Sequence, residues 1–332
     1  MPETATAETS AAETTTVETA KTQKPAKETR PRIEINSSVL ERGYKMCSAA
    51  AKLEFGPYTW VASNLPGDRR RGIAALMNHM ARCIDLTDLE SSDGLPLDIW
   101  SEIRDDLSDA FLDEYTTADL AALVDTTRKF DVPKQYFFDM LDGVDVWIRN
   151  REFPTYDELE VFAGRVGGSA MAAAIPIMGH VKEGYEVSAT KAGQAVFLTQ
   201  LLANLVGNLK LNKPFLAQDD MEDTEVVVHR LKMRQAGKEL RYLVRLYASR
   251  IEKLFYDGGH VVDYLDFDGR RSVTSLLAVH WAMLLKMKRE PESVLERDGV
   301  LSKRDLFKLK AKHVLGTEGK IPIIPEHDDH HH

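Results

Sequence analysis

Residues 70–88, RRGIAALMNHMARCIDLTD, contain the pattern that decides the fold. Apolar side chains recur there at intervals of three and four residues, which is the spacing of one face of an α-helix. The members of this face are Ile73, Leu76, Met77, Met80 and Ile84. The stretch therefore predicts an amphipathic helix that packs against a hydrophobic core.

The C-terminal end of this helix carries Arg82, Asp85 and Asp88 at intervals of three residues. Residues three apart lie on the same face of a helix, so two carboxylates and a guanidinium can converge on one ligand. Carboxylate oxygens suit Mg²⁺, and a guanidinium suits phosphate oxygens. Asp85 and Asp88, hereafter the acidic motif, are therefore a candidate site for one magnesium diphosphate.

Two other acidic runs match the string D-D-x-x-D, so spacing alone does not identify the site. The run 219–223 is typical of a helix N-terminus, where acids stabilise free N–H groups. The run 105–109 lies in a polar stretch and is typical of a solvated helix face. Asp85 and Asp88 differ because they continue a strongly apolar helix that is expected to face the interior.

Helical patterns cover most of the chain, and alternating strand patterns are nearly absent. Most proline residues fall between these segments or at their starts, where a missing N–H costs least. The sequence predicts one all-α domain of about ten helices over residues 34–316, without a linker that splits the core. Besides 70–86, the predicted helices cover residues 37–54, 97–112, 117–129, 134–149, 155–178, 188–210, 222–256, 270–288 and 302–313.

Both ends of the chain are predicted to lie outside this domain. Residues 1–33 are rich in Thr, Glu, Ala and Lys and contain few large apolar side chains. Such a segment cannot bury enough surface to offset chain entropy, and it is predicted to be disordered. Residues 317–332 end in HDDHHH and are interpreted as a flexible tail, tag-like in composition.

Length, charge and hydropathy exclude several classes of function. The chain has 332 residues, 43% of them hydrophobic, which is enough for a sizeable core. A net charge of −9 argues against a nucleic-acid partner, because such partners are bound through clustered Lys and Arg. No apolar run approaches the roughly 20 residues that cross a bilayer, and the first residues lack a signal-peptide core. With only Cys47 and Cys83, the chain is predicted to be cytoplasmic and without a disulfide framework.

Three stretches, in this order, resemble the squalene and phytoene synthase family. The first is YTWVASNLPGDRRRGIAALMNHMARCIDLTD at residues 58–88, and the second is FFDMLDGVDVWIRNREFPTYDELEVFAGRVGGSAM at residues 137–171. The third is FLTQLLANLVGNLKLNKPFLAQDDM at residues 197–221. The resemblance covers residues 37–315. It implies a single-domain isoprenoid synthase fold, with helices around a central cavity.

The resemblance also assigns roles to residues of the first stretch. The family's metal ligands match Asp85 and Asp88, and its diphosphate-contacting arginines match Arg71 and Arg82. Mg²⁺ and these arginines are thereby implied to stabilise the diphosphate that leaves an allylic prenyl substrate. Asp85, Asp88 and Arg82 are the expected catalytic residues.

The third stretch departs from the family pattern where a second metal motif is expected. Asn204 stands where the family has an aspartate, and Asn208 stands at or beside the position of another family acid. An amide carries no charge and is a poorer Mg²⁺ ligand, so the second diphosphate site is expected to be weakened. Trp147 replaces a family aspartate, Phe162 a tyrosine, and Tyr58 a small hydroxylated residue, which adds aromatic surface to the cavity.

With one diphosphate site, the chain is expected to transfer a prenyl group to an acceptor without diphosphate. It resembles the phytoene-synthase-like prenyltransferases that attach a short, dimethylallyl-type group to carbazole quinone or hydroquinone scaffolds in bacterial secondary metabolism. The expected acceptor-binding residues are Trp147, Phe162, Asn204, Asn208 and Tyr58.

Asp139 and Asp142, also three residues apart, are candidates for the base that removes the ring proton, although both are more typical of acids on a helix surface. Two alternative functions stay open. One is a head-to-head squalene- or phytoene-type synthase that tolerates a weakened second site, and the other is a degenerate family member that only binds. Expected partners are small molecules, and no feature of the sequence indicates an oligomeric state.

Overall fold

The computed structural model describes residues 31–56, 59–89, 95–150, 152–235, 237–296 and 300–315. Within these ranges β-structure is limited to isolated bridges, so the predicted all-α fold is confirmed. Short 3₁₀ segments lie at Thr59–Ala62, His260–Tyr264 and Pro291–Leu295, and a π segment, Gly164–Gly168, joins two helices. The α-helices are α1 (Ser37–Phe55), α2 (Gly67–Asp88), α3 (Leu95–Ala110), α4 (Ala118–Lys129), α5 (Gln135–Asn150), α6 (Tyr156–Ala163), α7 (Ser169–Met178), α8 (Glu186–Ala203), α9 (Leu205–Lys210), α10 (Gln218–Asp223), α11 (Val228–Lys232), α12 (Lys238–Gly259), α13 (Phe267–Arg289) and α14 (Lys303–Leu315).

Helix α2 is held inside the bundle along its length. Ile73 and Leu76 on its apolar face are buried, as their spacing predicts. At Gly72 a Cβ atom would lie 2.8 Å from Cγ2 of Ile177, so the missing side chain lets α2 and α7 approach closely. Fixing α2 in this way positions the acidic motif at its C-terminal end.

The segment Tyr156–Met178 forms the centre of the molecule. Every residue of α7 is buried, including Pro176, which lies inside this helix. Among the described residues this is the one segment long and apolar enough to cross a membrane. However, 78% of its apolar window is buried within the protein, which is the behaviour of a central core helix.

Helix α8 packs against the π segment through glycine. A Cβ atom on Gly193 would lie 2.2 Å from the carbonyl oxygen of Gly167 and 2.8 Å from Cα of Gly168. Such distances are shorter than any tolerable contact, so neither backbone could approach the other if a side chain stood between them. This contact aligns α8, and the segment that follows it, with the centre of the bundle.

Two predicted helices are interrupted. The predicted helix 188–210 breaks at Asn204, where α8 ends and α9 begins. The predicted helix 222–256 is three helices, α10, α11 and α12, and the long one starts only at Lys238. Glu225 and Arg234 both have a φ of 56°, which ends helical geometry, and two valines, Val226 and Val227, lie between α10 and α11.

The predicted boundaries lie close to the edges of the described chain. Arg32 forms an ion pair with Asp109, and the backbone N–H of Ile33 donates to the carbonyl of Tyr115 over 2.8 Å. Arg32 and Ile33, which precede the predicted start at residue 34, thus contact the helical domain. The rest of the predicted N-terminal extension, and the predicted tail 317–332, lie outside the described residues.

Replacing Gly193 by Ala is expected to lower the free energy of unfolding by roughly 1–3 kcal/mol or more, because the new methyl group meets backbone that cannot move aside. The matched control is Gly67→Ala in the first turn of α2, where a Cβ atom would have no neighbour within 4 Å. That control is expected to stay neutral or to gain about 0.5–1 kcal/mol. Urea denaturation measures both changes, and equal effects would contradict the close approach of α8 and the π segment.

Candidate active site

The acidic motif lies in the last turn of α2, and both carboxylates are exposed. Partial burial raises the pKa of Asp85, and the negative charge of Glu54 on α1 adds to this effect, whereas Lys213 opposes it. Asp88 is the last residue of the helix, and Leu89 continues in extended conformation. Two carboxylates on one accessible helix end, in a negatively charged setting, form a site that attracts a cation.

Arg82 is oriented by a partner that the sequence does not indicate. Its Nη1 lies 3.2 Å from Oδ2 of Asp119 on α4, and Asp119 also accepts a hydrogen bond from Nδ2 of Asn78 over 3.1 Å. The ion pair with Asp119 fixes the orientation of the guanidinium through one nitrogen, Nη1. A guanidinium has five N–H donors in all, so one such contact does not use its full capacity. Arg82 stands one turn before Asp85, where it can approach a diphosphate bound at the acidic motif.

Arg71 is not brought together with the acidic motif. Its Nη2 lies 2.9 Å from Oε2 of Glu41, and its guanidinium stacks 4.2 Å from the ring centroid of Tyr44 on α1. Asp85 is fourteen positions further along α2, which corresponds to roughly 21 Å of helix. Arg71 therefore belongs to a surface ion pair between α1 and α2, out of reach of a diphosphate at Asp85.

Lys213 is the residue at the site that the sequence analysis missed. Its ammonium group forms an ion pair with Asp88 and donates to Oγ1 of Thr87 over 3.0 Å. The side chain is only 5% exposed, and burial lowers its pKa to about 8, an effect that Asp85 partly offsets. Its one sequence signal is its place inside the third family-like stretch, after α9 and immediately before Pro214. The structure thus joins this loop to the acidic motif directly.

An aromatic wall stands behind this contact. Trp147 donates its indole N–H to the carbonyl of Thr87 over 3.3 Å, and its ring centroid lies 4.5 Å from that of Phe215. Phe215 stacks on Phe162, with centroids 5.8 Å apart and planes inclined by 8°. Trp147 and Phe162 are each about 1% exposed. The wall consists of Trp147, Phe153, Phe162, Phe197 and Phe215.

The predicted aromatic lining is therefore a packed cluster. The family resemblance pointed to Trp147 and Phe162. In the structure these two rings are connected by ring contacts through Phe153 and Phe215, two residues that the sequence did not indicate. Because the two rings are fully buried, they shape the base of the site from within the core. Tyr58, the third aromatic residue predicted to bind the acceptor, lies outside the described residues.

The amide pair Asn204 and Asn208 replaces the expected second acidic motif, and the two side chains bond to each other. Nδ2 of Asn204 donates to Oδ1 of Asn208 over 3.4 Å, and Nδ2 of Asn208 donates to the carbonyl of Leu201 over 3.0 Å. Asn208 is buried, whereas Asn204 is exposed and lines a cavity of about 420 Å³ together with Arg234. The backbone N–H of Lys213 donates to the carbonyl of Asn208 over 3.0 Å, so the amide pair adjoins the loop that reaches the acidic motif.

Asp139 and Asp142, the candidate bases, have local partners on the outer side of α5. Oδ1 of Asp139 accepts a hydrogen bond from Nε2 of Gln135 over 2.8 Å. Asp142 forms an ion pair with Arg104 of α3. The structure thus uses both carboxylates in contacts between surface groups, and it does not bring them to the acidic motif.

The other two acidic runs serve the fold. Asp109 of the run 105–109 pairs with Arg32. Asp219 and Asp220 lie in the first turn of α10, as predicted for the run 219–223. Asp220 is also buried and accepts from Nη1 of Arg250 over 2.6 Å. These contacts leave the acidic motif at Asp85 and Asp88 as the candidate for chemistry.

The residues present fit one magnesium ion at the acidic motif. Mg²⁺ is commonly held by one or two carboxylates, with phosphate oxygens and water completing the shell. Asp85 and Asp88 supply such carboxylates, while the amide pair supplies no charge. Among the residues that the structure describes, no group of three or more His, Cys, Asp or Glu side chains is placed to hold a metal alone. An ion held by Asp85 and Asp88 would complete its shell with diphosphate oxygens and water.

Comparison with known proteins identifies the family. The family model of squalene/phytoene synthase matches residues 58–305, and the chain belongs to this family. Members of this family are prenyltransferases, so the chain is assigned to the transferases.

The relatives are distant in sequence. The chain is similar to phytoene synthase of Mycobacterium tuberculosis, with 22% identity over 267 residues, covering 78% of this chain and 86% of that protein. It is similar to phytoene synthase 2 of Solanum lycopersicum, with 24% identity over 278 residues, covering 81% and 88%.

Solved structures confirm the fold. A dehydrosqualene synthase superposes with a TM-score of 0.74 at 20% identity, covering 84% of this chain and 98% of that chain. Squalene synthase HpnC from Alicyclobacillus acidocaldarius superposes with a TM-score of 0.68 at 16% identity, covering 77% and 96%. At these identities the likeness establishes the isoprenoid synthase fold.

The different positions of the two arginines predict different effects on diphosphate binding. Arg82→Gln is expected to weaken the binding of inorganic pyrophosphate in magnesium roughly 10- to 100-fold, because it removes a charge-assisted contact at the site. Arg71→Gln removes the same charge from a surface ion pair and is expected to change the affinity less than about twofold. Isothermal titration calorimetry measures both, and a large loss in Arg71→Gln would contradict the placement of Arg71.

Proposed function

We propose that this protein is a prenyltransferase that ionises one short allylic diphosphate with Mg²⁺ and transfers the prenyl group to a ring carbon of an aromatic, carbazole-like acceptor. The observation that carries this proposal is the asymmetry of the site. One side has two accessible carboxylates, and the other has an amide pair whose members bond to each other. This asymmetry favours one diphosphate over two.

The proposed reaction starts at the end of α2. The bond between the allylic carbon and the diphosphate oxygen breaks, and the electron pair leaves with the diphosphate. Arg82, oriented by Asp119, and the carboxylates of Asp85 and Asp88 hold the leaving group and its counter-ion in place. Mg²⁺, when bound, supplies charge that stabilises the departing diphosphate.

The aromatic wall supports the second half of the reaction. Trp147 donates to the carbonyl of Thr87, and its ring, packed against Phe215, closes the core behind this residue and keeps water away from the allylic cation. A ring carbon of the acceptor then forms the new carbon–carbon bond, and the ring loses a proton to a base. Asp139 and Asp142 are held by other partners, which favours the released diphosphate as that base.

The amide pair suits an uncharged acceptor. Asn204 is exposed on a cavity of about 420 Å³, where its amide can exchange hydrogen bonds with quinone or hydroquinone oxygens. Such a group offers both a donor and acceptors without the charge that a diphosphate and its metal ions require. An acceptor of this chemistry therefore fits the position of the second diphosphate.

Head-to-head coupling is the second candidate, and the comparisons alone favour it. The relatives and the solved structures reported above bear the names of phytoene, squalene and dehydrosqualene synthases. Coupling of two prenyl diphosphates requires two diphosphates to be held together, and the uncharged amide pair weighs against the second of them. Low identity leaves room for a different acceptor on the same fold.

The two functions give different products. The purified protein is incubated with Mg²⁺ and dimethylallyl, farnesyl or geranylgeranyl diphosphate, each with and without a carbazole quinone or hydroquinone. We expect a monoprenylated carbazole only when acceptor is present, detected by mass spectrometry. A C30 or C40 hydrocarbon formed without acceptor would refute the proposal and establish head-to-head coupling.

Loss of the acidic motif should abolish transfer without unfolding the protein. Asp85→Asn is expected to lower kcat roughly 10²- to 10³-fold, because a neutral amide no longer holds the counter-ion of the leaving group. The matched control is Asp68→Asn at the other end of α2, where the carboxylate pairs with Lys129 on the surface. We expect this control to keep activity within about twofold. If both variants kept wild-type activity, Asp85 would have no role in the reaction. If the wild type itself were inactive, the non-enzymatic alternative would be favoured.

A further inference from the structure

Lys213 is held by specific contacts at the edge of the candidate site. It lies in the loop 211–217, between α9 and α10, and its ammonium reaches the last turn of α2. There it pairs with Asp88 and donates to Oγ1 of Thr87 over 3.0 Å. The side chain is 5% exposed, so a positive charge has been taken almost completely out of water at the edge of the candidate site.

The loop backbone adopts unfavourable geometry on both sides of this residue. Asn212 has a φ of 55° and Phe215 a φ of 49°, both in the left-handed region. Asn tolerates this region, but a bulky aromatic residue does so only when its surroundings impose it. Such a conformation persists only because neighbouring contacts over-determine it.

Contacts hold the loop on both sides of Lys213. On the C-terminal side the ring of Phe215 is packed between Trp147 and Phe162, with centroids 4.5 Å and 5.8 Å away, and the backbone N–H of Ala217 donates to Oη of Tyr247 over 2.8 Å. On the N-terminal side the backbone N–H of Lys213 donates to the carbonyl of Asn208 over 3.0 Å. These contacts together direct the side chain of Lys213 towards α2.

The ammonium group of Lys213 lies among negative charges. Asp85, Asp88 and Glu54 all contribute negative charge at this end of α2. In the free protein Lys213 neutralises part of it, acting where a bound cation would otherwise act. An incoming diphosphate brings more negative charge to the same place, and a lysine ammonium is a point charge that suits phosphate oxygens.

We propose that Lys213 is the resident cation of the acidic motif: it contacts the diphosphate of the bound allylic substrate, so that the site takes one Mg²⁺ per diphosphate. This inference rests on the proposed function, because it concerns the same diphosphate. It identifies Lys213 as a binding residue and explains how a site with one acidic motif can hold a highly charged group.

The test measures binding rather than turnover. Inorganic pyrophosphate is titrated into the protein by calorimetry, in EDTA and over a series of magnesium concentrations. Wild type is expected to bind pyrophosphate in EDTA, and Lys213→Met to bind it roughly 10- to 100-fold more weakly. In Lys213→Met the slope of log affinity against log magnesium concentration is expected to rise from one towards two, because Asp88 becomes available to a second ion.

Matched variants separate the charge from the fold. Lys213→Arg keeps a positive charge and should retain most of the binding in EDTA. Lys232→Met removes the same charge from an exposed lysine whose ammonium bonds Oδ1 of Asn212 in the same loop, over 2.6 Å, and should bind within about twofold of wild type. Thermal unfolding midpoints confirm that each variant is folded.

Asp88→Asn tests the inference even if Lys213→Met does not fold. Because the ammonium is then released to the ligand, this variant should bind pyrophosphate in EDTA at least as tightly as wild type. A loss of binding in EDTA would instead assign Lys213 a purely structural role. The same conclusion follows if wild type does not bind in EDTA, or if a folded Lys213→Met binds like wild type with an unchanged magnesium slope.

These outcomes are independent of the acceptor. A C30 or C40 product in the turnover assay would overturn the proposed function but not the affinities measured with pyrophosphate. Conversely, if Lys213 proved to have a purely structural role, the proposed transfer of a prenyl group to an aromatic acceptor would still stand.

Discussion

The ion pair between Lys213 and Asp88 is the contact on which the arrangement of the site depends. It connects two parts of the chain that are 125 positions apart and that the family resemblance treats as separate motifs. The loop that carries Lys213 is also held by Phe215, which packs into the aromatic wall two residues further on. Electrostatic attraction and aromatic packing therefore stabilise the same conformation of the loop.

The site differs from a symmetric pair of metal motifs in charge rather than in shape. The helices that carry the two motif positions, α2 and the α8–α9 pair, are both present, and the chain superposes on a dehydrosqualene synthase with a TM-score of 0.74. What changes is that Asn204 and Asn208 satisfy each other, while an ammonium enters from the adjoining loop. A fold that serves many reactions can thus change its substrates by altering a few charges at one end of a conserved framework.

Periodic patterns predicted most of the fold, and local chemistry limited the rest. Helices such as α2 and α5 were predictable because burial of one face imposes a repeat on their sequence. The break at Asn204, whose φ of −96° and ψ of 22° leave helical geometry, and the breaks between α10 and α12, at Glu225 and Arg234 with positive φ, were not, because they depend on single residues rather than on periodicity. At the site, Asp85, Asp88 and Arg82 share a helix end and were predictable from spacing, whereas Arg71 is too far along the same helix to join them. Lys213 carries no pattern, because a lone loop lysine acquires meaning only from tertiary contacts.

The loop 211–217 also has a consequence for how such a site can change over generations. Restoring acids at positions 204 and 208 would place new negative charge beside a loop already committed to Lys213 and Phe215. The two substitutions at the amide pair are therefore expected to be epistatic with the loop, so that their effect depends on the order in which mutations arise. Because the backbone N–H of Lys213 bonds the carbonyl of Asn208 while its ammonium pairs with Asp88, a change at the amide pair is transmitted through the loop to the acidic motif.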